Sequence, residues 1–357
     1  MPRSSWAVAT LALTLGCAGQ EPVDPEAGRV AADAGRPFIG VDQESHTQVR
    51  LQAVSAVDAA VLWVSGLEGT FARTTDGGRH WMTSQVRGSE ELQFRDVHAV
   101  DAETAYLLAA GPGELSRILK TTDGGDSWRR QFVNDEPEGF LDCFDFWSPE
   151  RGLAYGDSVR GELYVLATED GTSWSRVPPS ALPDAGPGEG GFAASGSCVE
   201  TAPGGLAWIA SGAGGSARVL RTGDYGRTWA FAETPVVRGG SAGLTSVLFA
   251  DELIGIALGG DLEQPDAFTD NVAISGDGGG TWGAGGRVTF AGGVYGGAWS
   301  GDGRTVIAAG PAGLSVAVDR GEAWSAIDDR DSWAVAFGDP DTFWAVGPAG
   351  RITRYSR

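Results

Sequence analysis

Basic residues are scarce in this sequence. Its 357 residues contain 26 Lys and Arg against 47 Asp and Glu, which gives a formal net charge of −21 at pH 7. Charged residues make up only 20% of the chain, so long charged blocks do not interrupt it. Nucleic-acid binding needs clustered Lys and Arg, and the composition therefore argues against a nucleic-acid partner. The acidity favours solubility, with attraction of cations as a second interpretation.

Histidine is also scarce, because only His46, His80 and His98 are present and none has the spacing of metal ligands. His98 falls in a predicted inner strand, where we interpret it as a polar residue that lines a channel. Residues 186–191 fit a dinucleotide-binding glycine pattern and residues 239–243 fit a nucleophile elbow, but neither segment leads into a helix. The sequence predicts no cofactor and no histidine metal site.

Residues 1–17 have the composition of an export signal. The apolar run 7–15 is too short to span a membrane and ends in the letters LTLGC, which resemble a bacterial lipobox. Leu15 and Thr14 depart from the usual order of that motif. We expect Cys17 to be the lipidated first residue of the mature protein, and ordinary signal cleavage nearby is the alternative.

Glycine is abundant, at 56 residues, and ten of these lie in a repeated pattern that begins with Asp and ends with Trp. Six copies follow D-x-G-x-x-W, or a form one residue shorter, at intervals of 42 to 54 residues. Asp can bind the backbone of its own turn and Gly adopts positive φ without strain, so each copy predicts a hairpin turn. The pairs are Asp76 and Trp81, Asp123 and Trp128, Asp170 and Trp174, Asp224 and Trp229, Asp277 and Trp282, and Asp319 and Trp324.

Repeats of this period predict a solenoid, a propeller or an array. Each unit contains four short apolar segments, and the last unit lacks both the turn motif and an outermost strand. A spare strand precedes the first unit, at residues 37–41. Because a propeller must close its ring to leave no unpaired edge, we predict an all-β, seven-bladed propeller over residues 37–357, closed by that strand. Six or eight blades are the alternatives, and residues 18–36 read as a flexible tether.

The repeated turn resembles the Asp-box, or BNR, repeat. The order of further motifs resembles a bacterial group within the photosystem II stability/assembly factor-like propellers. Those motifs are FLDCFDFW at 140–147, GLAYGD at 152–157, FAASGSC at 192–198, GGD at 259–261 and AVGPAGRI at 345–352. The resemblance spans about residues 37–357 and implies the propeller fold. Some relatives are labelled "oxidoreductase", but these residues give no support for redox chemistry.

Acidic residues are predicted to gather on one face of the propeller, around blades 3 to 5. Asp-boxes also occur in sialidases, which are similar in fold, and in xyloglucan-cleaving hydrolases, which use two facing propellers. This chain has no Arg-Ile-Pro motif and only one propeller. The acids could still form a two-carboxylate hydrolytic site or a Ca²⁺ site, and simple turn capping is the alternative. They are Asp142, Asp145, Asp157, Glu189 and Asp261.

The remaining cysteines, Cys143 and Cys198, are predicted to form a disulfide. If Cys17 carries a lipid, these two are left in an exported protein, where oxidation is the usual fate. When residues are counted back from the starts of the second strands of blades 3 and 4, Cys198 falls at the position equivalent to Asp145. Cys143 lies two residues before Asp145. Both side chains would then leave the same face of neighbouring inner strands. Two free, buried thiols are the alternative.

The sequence as a whole predicts an exported, lipid-anchored propeller that acts as a non-catalytic interaction or assembly module of the bacterial cell envelope. The expected partner is an envelope protein or a glycan, the chain is expected to be a monomer, and the only membrane contact is the lipid. The alternative is a glycan-binding or glycoside-hydrolase-like propeller that uses the acidic rim. The Asp-box residues are interpreted as structural because they occur six times, whereas a catalytic site occurs once.

We predict that the mature protein begins at an acylated Cys17. Intact-mass analysis of protein purified from its own membranes should show the mass of residues 17–357 plus the lipid. An unmodified N-terminus elsewhere within residues 18–36 would contradict this prediction.

Overall fold

The computed structural model describes residues 36–357. The predicted signal, Cys17 and all but the last residue of the predicted tether lie outside the described residues.

Seven antiparallel sheets of four strands each form the described part of the chain. From blade 1 to blade 7, the inner strands are β2 (Leu51–Ala56), β6 (Phe94–Ala99), β10 (Leu141–Ser148), β14 (Val199–Ala202), β18 (Ala242–Phe249), β22 (Gly296–Trp299) and β26 (Ala334–Asp339). The second strands are β3 (Leu62–Gly66), β7 (Ala105–Ala109), β11 (Arg151–Val159), β15 (Leu206–Ser211), β19 (Gly255–Asp261), β23 (Val306–Gly310) and β27 (Thr342–Val346).

The third strands are β4 (Thr70–Thr74), β8 (Arg117–Thr121), β12 (Glu162–Thr168), β16 (Arg218–Thr222), β20 (Val272–Ser275), β24 (Gly313–Ala317) and β28 (Ile352–Ser356). The outer strands are β5 (Met82–Gln85), β9 (Arg129–Val133), β13 (Ser175–Arg176), β17 (Ala230–Glu233), β21 (Gly283–Ala284), β25 (Ser325–Asp328) and β1 (Ile39–Gln43). Short 3₁₀ turns occupy Gly113–Leu115, Pro179–Ala181 and Pro203–Gly205.

The predicted seven-bladed propeller and its closure by the N-terminal strand are confirmed. Strand β1 pairs antiparallel with β28, so one sheet contains both ends of the described chain. Gln43, at the end of β1, joins this blade to blade 1. Its Oε1 accepts hydrogen bonds from Trp344 Nε1 at 3.0 Å and Trp81 Nε1 at 3.1 Å, and its Nε2 donates to Gly77 O at 3.1 Å. The closing strand therefore binds the first Asp-box turn directly.

Each Asp-box turn is closed by its own Asp. In blade 1, the Asp76 carboxylate accepts hydrogen bonds from Thr74 Oγ1 and His80 N, both at 2.9 Å. Gly78, at φ 81°, donates its N–H to Thr74 Oγ1. Equivalent bonds to a turn Asp recur in blades 2 to 6. These contacts explain why the pattern needs Asp, Gly and a hydroxyl residue at fixed spacing.

The Asp-box tryptophans differ in burial. Trp81 is 4% exposed, whereas the other five are only half-buried. The fully buried tryptophans are in second strands: Trp63, Trp208 and Trp344. Trp63 Nε1 donates to Asp101 O at 2.9 Å in the next blade, so such a side chain packs two blades together.

We predict that Trp63→Ala lowers the free energy of unfolding by about 3–5 kcal/mol, because the residue is fully buried. Trp128→Ala should cost roughly half as much, since that ring is half-buried, although it packs edge-on against Trp63 and Phe71. Urea unfolding of both variants measures the difference. Equal losses would contradict this ranking of the two positions.

Candidate functional site

A cavity of about 250 Å³ lies where the inner strands converge, and all seven blades contribute to its lining. Its ionisable side chains come only from blades 2, 3 and 4. They are Asp96, His98, Asp145 and Glu200. We call these four residues the channel group.

The carboxylates of the channel group each accept a backbone N–H from the inner strand of the following blade. Phe144 N donates to Asp96 Oδ2 at 2.8 Å, Thr201 N donates to Asp145 Oδ2 at 2.8 Å, and Phe249 N donates to Glu200 Oε1 at 3.1 Å. In the same way, Ala99 N donates to Ser55 Oγ at 3.1 Å between blades 1 and 2. The inner edge of a blade has no further strand to pair with, so its N–H groups need side-chain acceptors.

Burial raises the pKa of two members of the channel group, Glu200 and Asp96. Desolvation raises the pKa of Glu200 to about 8, although the hydrogen bond from Phe249 N opposes the shift. Desolvation also raises the pKa of Asp96 well above its usual range, and repulsion from Asp145 adds to that effect. Burial thus favours the neutral form of the Asp96 and Glu200 carboxyl groups, which still accept the backbone N–H bonds.

Ser55, His98 and Asp145 occupy equivalent positions on three consecutive inner strands, opposite Trp63, Tyr106 and Leu153 in their respective second strands. His98 Nδ1 lies 3.1 Å from Asp145 Oδ1. Within residues 36–357, however, no hydrogen bond joins Ser55 to His98. Ser55 Oγ instead accepts the Ala99 N–H, so the structure does not form a nucleophile–base pair here.

The five acids singled out from the sequence lie in three places. Only Asp145 lines the central cavity. Asp261 caps a turn, where it accepts hydrogen bonds from Ser241 Oγ at 2.8 Å and Glu263 N at 3.0 Å.

The other three, Asp142, Asp157 and Glu189, lie together beside the backbone of Gly190 and Gly191. A Cβ atom on Gly190 would collide with Asp157, and a Cβ atom on Gly191 would collide with Asp142. Burial, and then repulsion from Asp157, raises the pKa of Asp142 well above its usual range. Burial raises the pKa of Asp157 to about 6.

Glu189 is held in a buried ion pair. Its two oxygens accept hydrogen bonds from Arg218 Nε at 2.6 Å and Nη2 at 2.7 Å, and Ser211 Oγ donates to Oε1. The side chain of Glu189 is 0% exposed. The structure thus groups three of the five acids, but around a buried backbone segment and away from the cavity. Within residues 36–357, no cluster of three or more His, Cys, Asp or Glu side chains has the geometry of a metal site.

Cys143 and Cys198 are joined by a disulfide, with Cα atoms 6.0 Å apart. The expected two-residue offset between them is wrong. Cys143 lies opposite Tyr155, and Cys198 O accepts the Ala210 N–H, so the two cysteines are at equivalent levels of adjacent blades. The offset was misjudged because Pro203–Gly205 forms a 3₁₀ turn before the second strand of blade 4.

Asp96 and Glu200 were not predicted from the sequence, although both belong to the channel group. Glu200 lies opposite Trp208 in the same way that Asp145 lies opposite Leu153, so Glu200 and Asp145 occupy equivalent positions in their blades. Glu200 precedes Trp208 by eight residues, just as Ser55 precedes Trp63, so aligning the blades on these two tryptophans would have found Glu200. Asp96 follows a bulge between Phe94 and Asp96, which no spacing rule in the sequence reveals.

No helix in the part of the chain that the structure describes is long and apolar enough to cross a membrane.

Comparison with known proteins identifies similar assembly factors. No protein-family model matches the chain. The photosystem II assembly lipoprotein Ycf48 of Synechococcus sp. (strain CC9902) is 30% identical over 111 residues, or 31% of this chain and 32% of that protein. The photosystem II assembly protein Ycf48 of Synechococcus sp. (strain JA-2-3B'a(2-13)) is 24% identical over 155 residues, or 32% of this chain and 45% of that protein. The matched parts thus span less than half the length of these curated relatives.

Two solved structures share the fold over most of the chain. A structure described as YCF48 bound to D1 peptide has a TM-score of 0.62 at 17% identity and covers 90% of this chain and 96% of its own. YCF48 from Cyanidioschyzon merolae has a TM-score of 0.61 at 16% identity and covers 89% and 98%. At these identities the likeness shows the propeller fold. In sequence and fold together, the chain is similar to the Ycf48 photosystem II assembly factors.

We predict that Glu200→Gln flattens the pH dependence of stability. With a folded-state pKa raised to about 8, the Glu200 carboxyl contributes stability that is fully present below its ordinary pKa and is lost as pH rises through 8. Gln keeps an acceptor for Phe249 N and cannot ionise. Between pH 5 and pH 9 the variant should therefore lose about 1–3 kcal/mol less than the wild type in urea unfolding. Parallel curves for the two proteins would contradict the assignment.

Proposed function

We propose that this protein is a non-catalytic interaction module that assists the assembly of another protein. The likeness of part of its sequence to two photosystem II assembly proteins carries this proposal. The fold it shares with a Ycf48 structure that holds a D1 peptide is compatible with a protein or peptide partner. An envelope glycan is the second candidate partner from the sequence.

The chemistry of the channel supports a non-catalytic role. A glycoside hydrolase needs two carboxyl groups that are free to act on a bound sugar. Here the carboxylates of the channel group accept backbone hydrogen bonds, and the cavity of about 250 Å³ is smaller than a typical ligand pocket. The hydrolase alternative therefore gains no support from the geometry.

We place the partner on the face where the inner strands begin, which we call the entry face. The Asp-box turns follow the third strands and so lie on the opposite face. On the entry face, the Arg50 guanidinium lies 4.4 Å from the ring centroid of Trp333, and the Tyr295 ring lies 4.6 Å from the same Trp. Arg50 makes no ion pair within the described residues. A guanidinium that is stacked on an aromatic ring and makes no ion pair is a typical anchor for protein binding.

We further propose that the protein is exported and tethered to the envelope by a lipid on Cys17. Residues 1–17 would be the signal, residues 18–36 the tether, and residues 37–357 the binding module. The word lipoprotein in the description of one relative supports this arrangement. The module would act as a monomer, with no nucleic acid bound and no membrane contact except the lipid.

We predict that Arg50→Glu removes most partner capture. The full-length wild type, immobilised and exposed to solubilised envelope from its own cell, should retain a defined protein. Arg50→Glu should reduce its retention at least about ten-fold, as expected for a central hot spot. The matched control is Arg227→Glu, an equal charge reversal at an exposed residue of an Asp-box turn on the other face. Loss with Arg227→Glu alone would contradict the choice of face, and an envelope glycan as the only retained species would contradict the protein partner.

A further inference from the structure

A ten-residue segment crosses the mouth of the channel at the entry face. The inner strand of blade 4 begins only at Val199 and has four residues, whereas β10 in blade 3 has eight. Residues 189–198 precede it and share only one isolated β-bridge with their own blade, between Gly190 and Gly212. We call residues 189–198 the strap.

The strap contacts blades on several sides of the ring. Ala193 O accepts a hydrogen bond from Arg95 Nη1 of blade 2 at 2.8 Å. Ser195 Oγ donates to Tyr295 O, next to the inner strand of blade 6, at 2.8 Å. Ser197 Oγ lies 2.6 Å from Ser246 Oγ of blade 5. A segment of blade 4 that reaches blades 2, 5 and 6 must cross the central axis of the ring.

Glycines let the strap lie close to the channel walls. Gly196 has φ 79°, and a Cβ atom there would collide with the Asp96 carboxylate. Gly191 packs against Asp142 in the same way. Three of the channel-lining residues, Ser195, Gly196 and Ser197, belong to the strap itself, so the strap forms one end of the central cavity.

The strap is fixed at both ends. At its start, Glu189 forms the buried ion pair with Arg218 of β16 in its own blade. At its end, Cys198 is bonded to Cys143 of β10 in blade 3. The disulfide takes the place of the strand pairing that residues 195–197 lack. Between these two anchors, the bridge between Gly190 and Gly212 and single hydrogen bonds hold the strap.

We propose that the disulfide between Cys143 and Cys198 is a redox lock on the strap. While the bond is intact, the strap closes the entry side of the channel. Reduction frees residues 190–198 while the seven blades remain folded, and this opens the channel down to Asp96 and Asp145. The other five blades hold their inner strands without any disulfide, since cysteine occurs at no position other than 143 and 198 in residues 36–357. The proposal is independent of the identity of the partner.

The chemistry of release needs a dithiol reductant. Its thiolate attacks the Cys143–Cys198 bond, two electrons and two protons pass to the cysteines, and the reductant becomes a disulfide. Both cysteines are only 1% exposed, so attack requires prior loosening of the strap. In an oxidising compartment the lock therefore stays closed, and a chain held under reducing conditions has an open strap.

Hydrogen–deuterium exchange of the full-length protein tests the lock. We compare the oxidised wild type, the wild type reduced with dithiothreitol without denaturant, and the Cys143→Ser/Cys198→Ser variant. The lock predicts at least about ten-fold faster exchange in peptides that cover residues 190–198, with little change in β2 and β27 on the far side of the ring. Dithiothreitol should leave the exchange of the Ser variant unchanged, which controls for other effects of the reductant.

Two results would overturn the proposal. Unchanged exchange in the strap after complete reduction, as counted by thiol titration, would show that the hydrogen bonds suffice to hold it. Faster exchange throughout all seven blades, or unfolding on reduction, would show that the disulfide is a general staple of the fold.

Discussion

Backbone N–H groups at the inner edge of the ring are the constraint on which the centre of this protein depends. In each sheet the inner strand pairs on one side only, and a buried donor without a partner is costly. Blades 1 to 4 meet this need with Ser55, Asp96, Asp145 and Glu200, whose oxygens bind N–H groups of the following blade. Consecutive blades are thereby joined at the axis of the ring. The same bonds leave the acids with little freedom for chemistry, and this is the physical reason that an acidic channel does not imply an enzyme.

The sequence predicted the repeat architecture well, because the determinants of each turn are local. Asp76 and Gly78 act within five residues of chain, and the spare strand at 37–41 has only one edge to close. Side-chain hydrogen bonds between distant residues were not predicted. Gln43 binds Trp344 across 301 positions, and Arg95 binds Ala193 across 98. Neither pair is marked by a repeated pattern in the sequence.

The candidate site was predicted only in part, for a related reason. The prediction that acids gather near blades 3 to 5 relied on which loops share a face. It could not tell a carboxylate beside the cavity, such as Asp145, from one that packs against glycine backbone, such as Asp142. That difference depends on the path of the strap, which leaves its own blade after Gly190. The strap forms the centre of the entry face, beside Arg95 and Tyr295. It therefore lies on the face where we propose that the partner binds.

The most direct test of this account is residue-resolved amide exchange at Thr201, whose N–H donates to Asp145 across the boundary between blades 3 and 4. Asp145→Ala removes the acceptor, whereas Asp145→Asn keeps an oxygen in the same place. If cross-blade acceptors hold the inner strands together, Thr201 N–H should exchange at least about ten-fold faster in the Ala variant and close to the wild-type rate in the Asn variant. Equal protection of Thr201 in all three proteins would contradict the account.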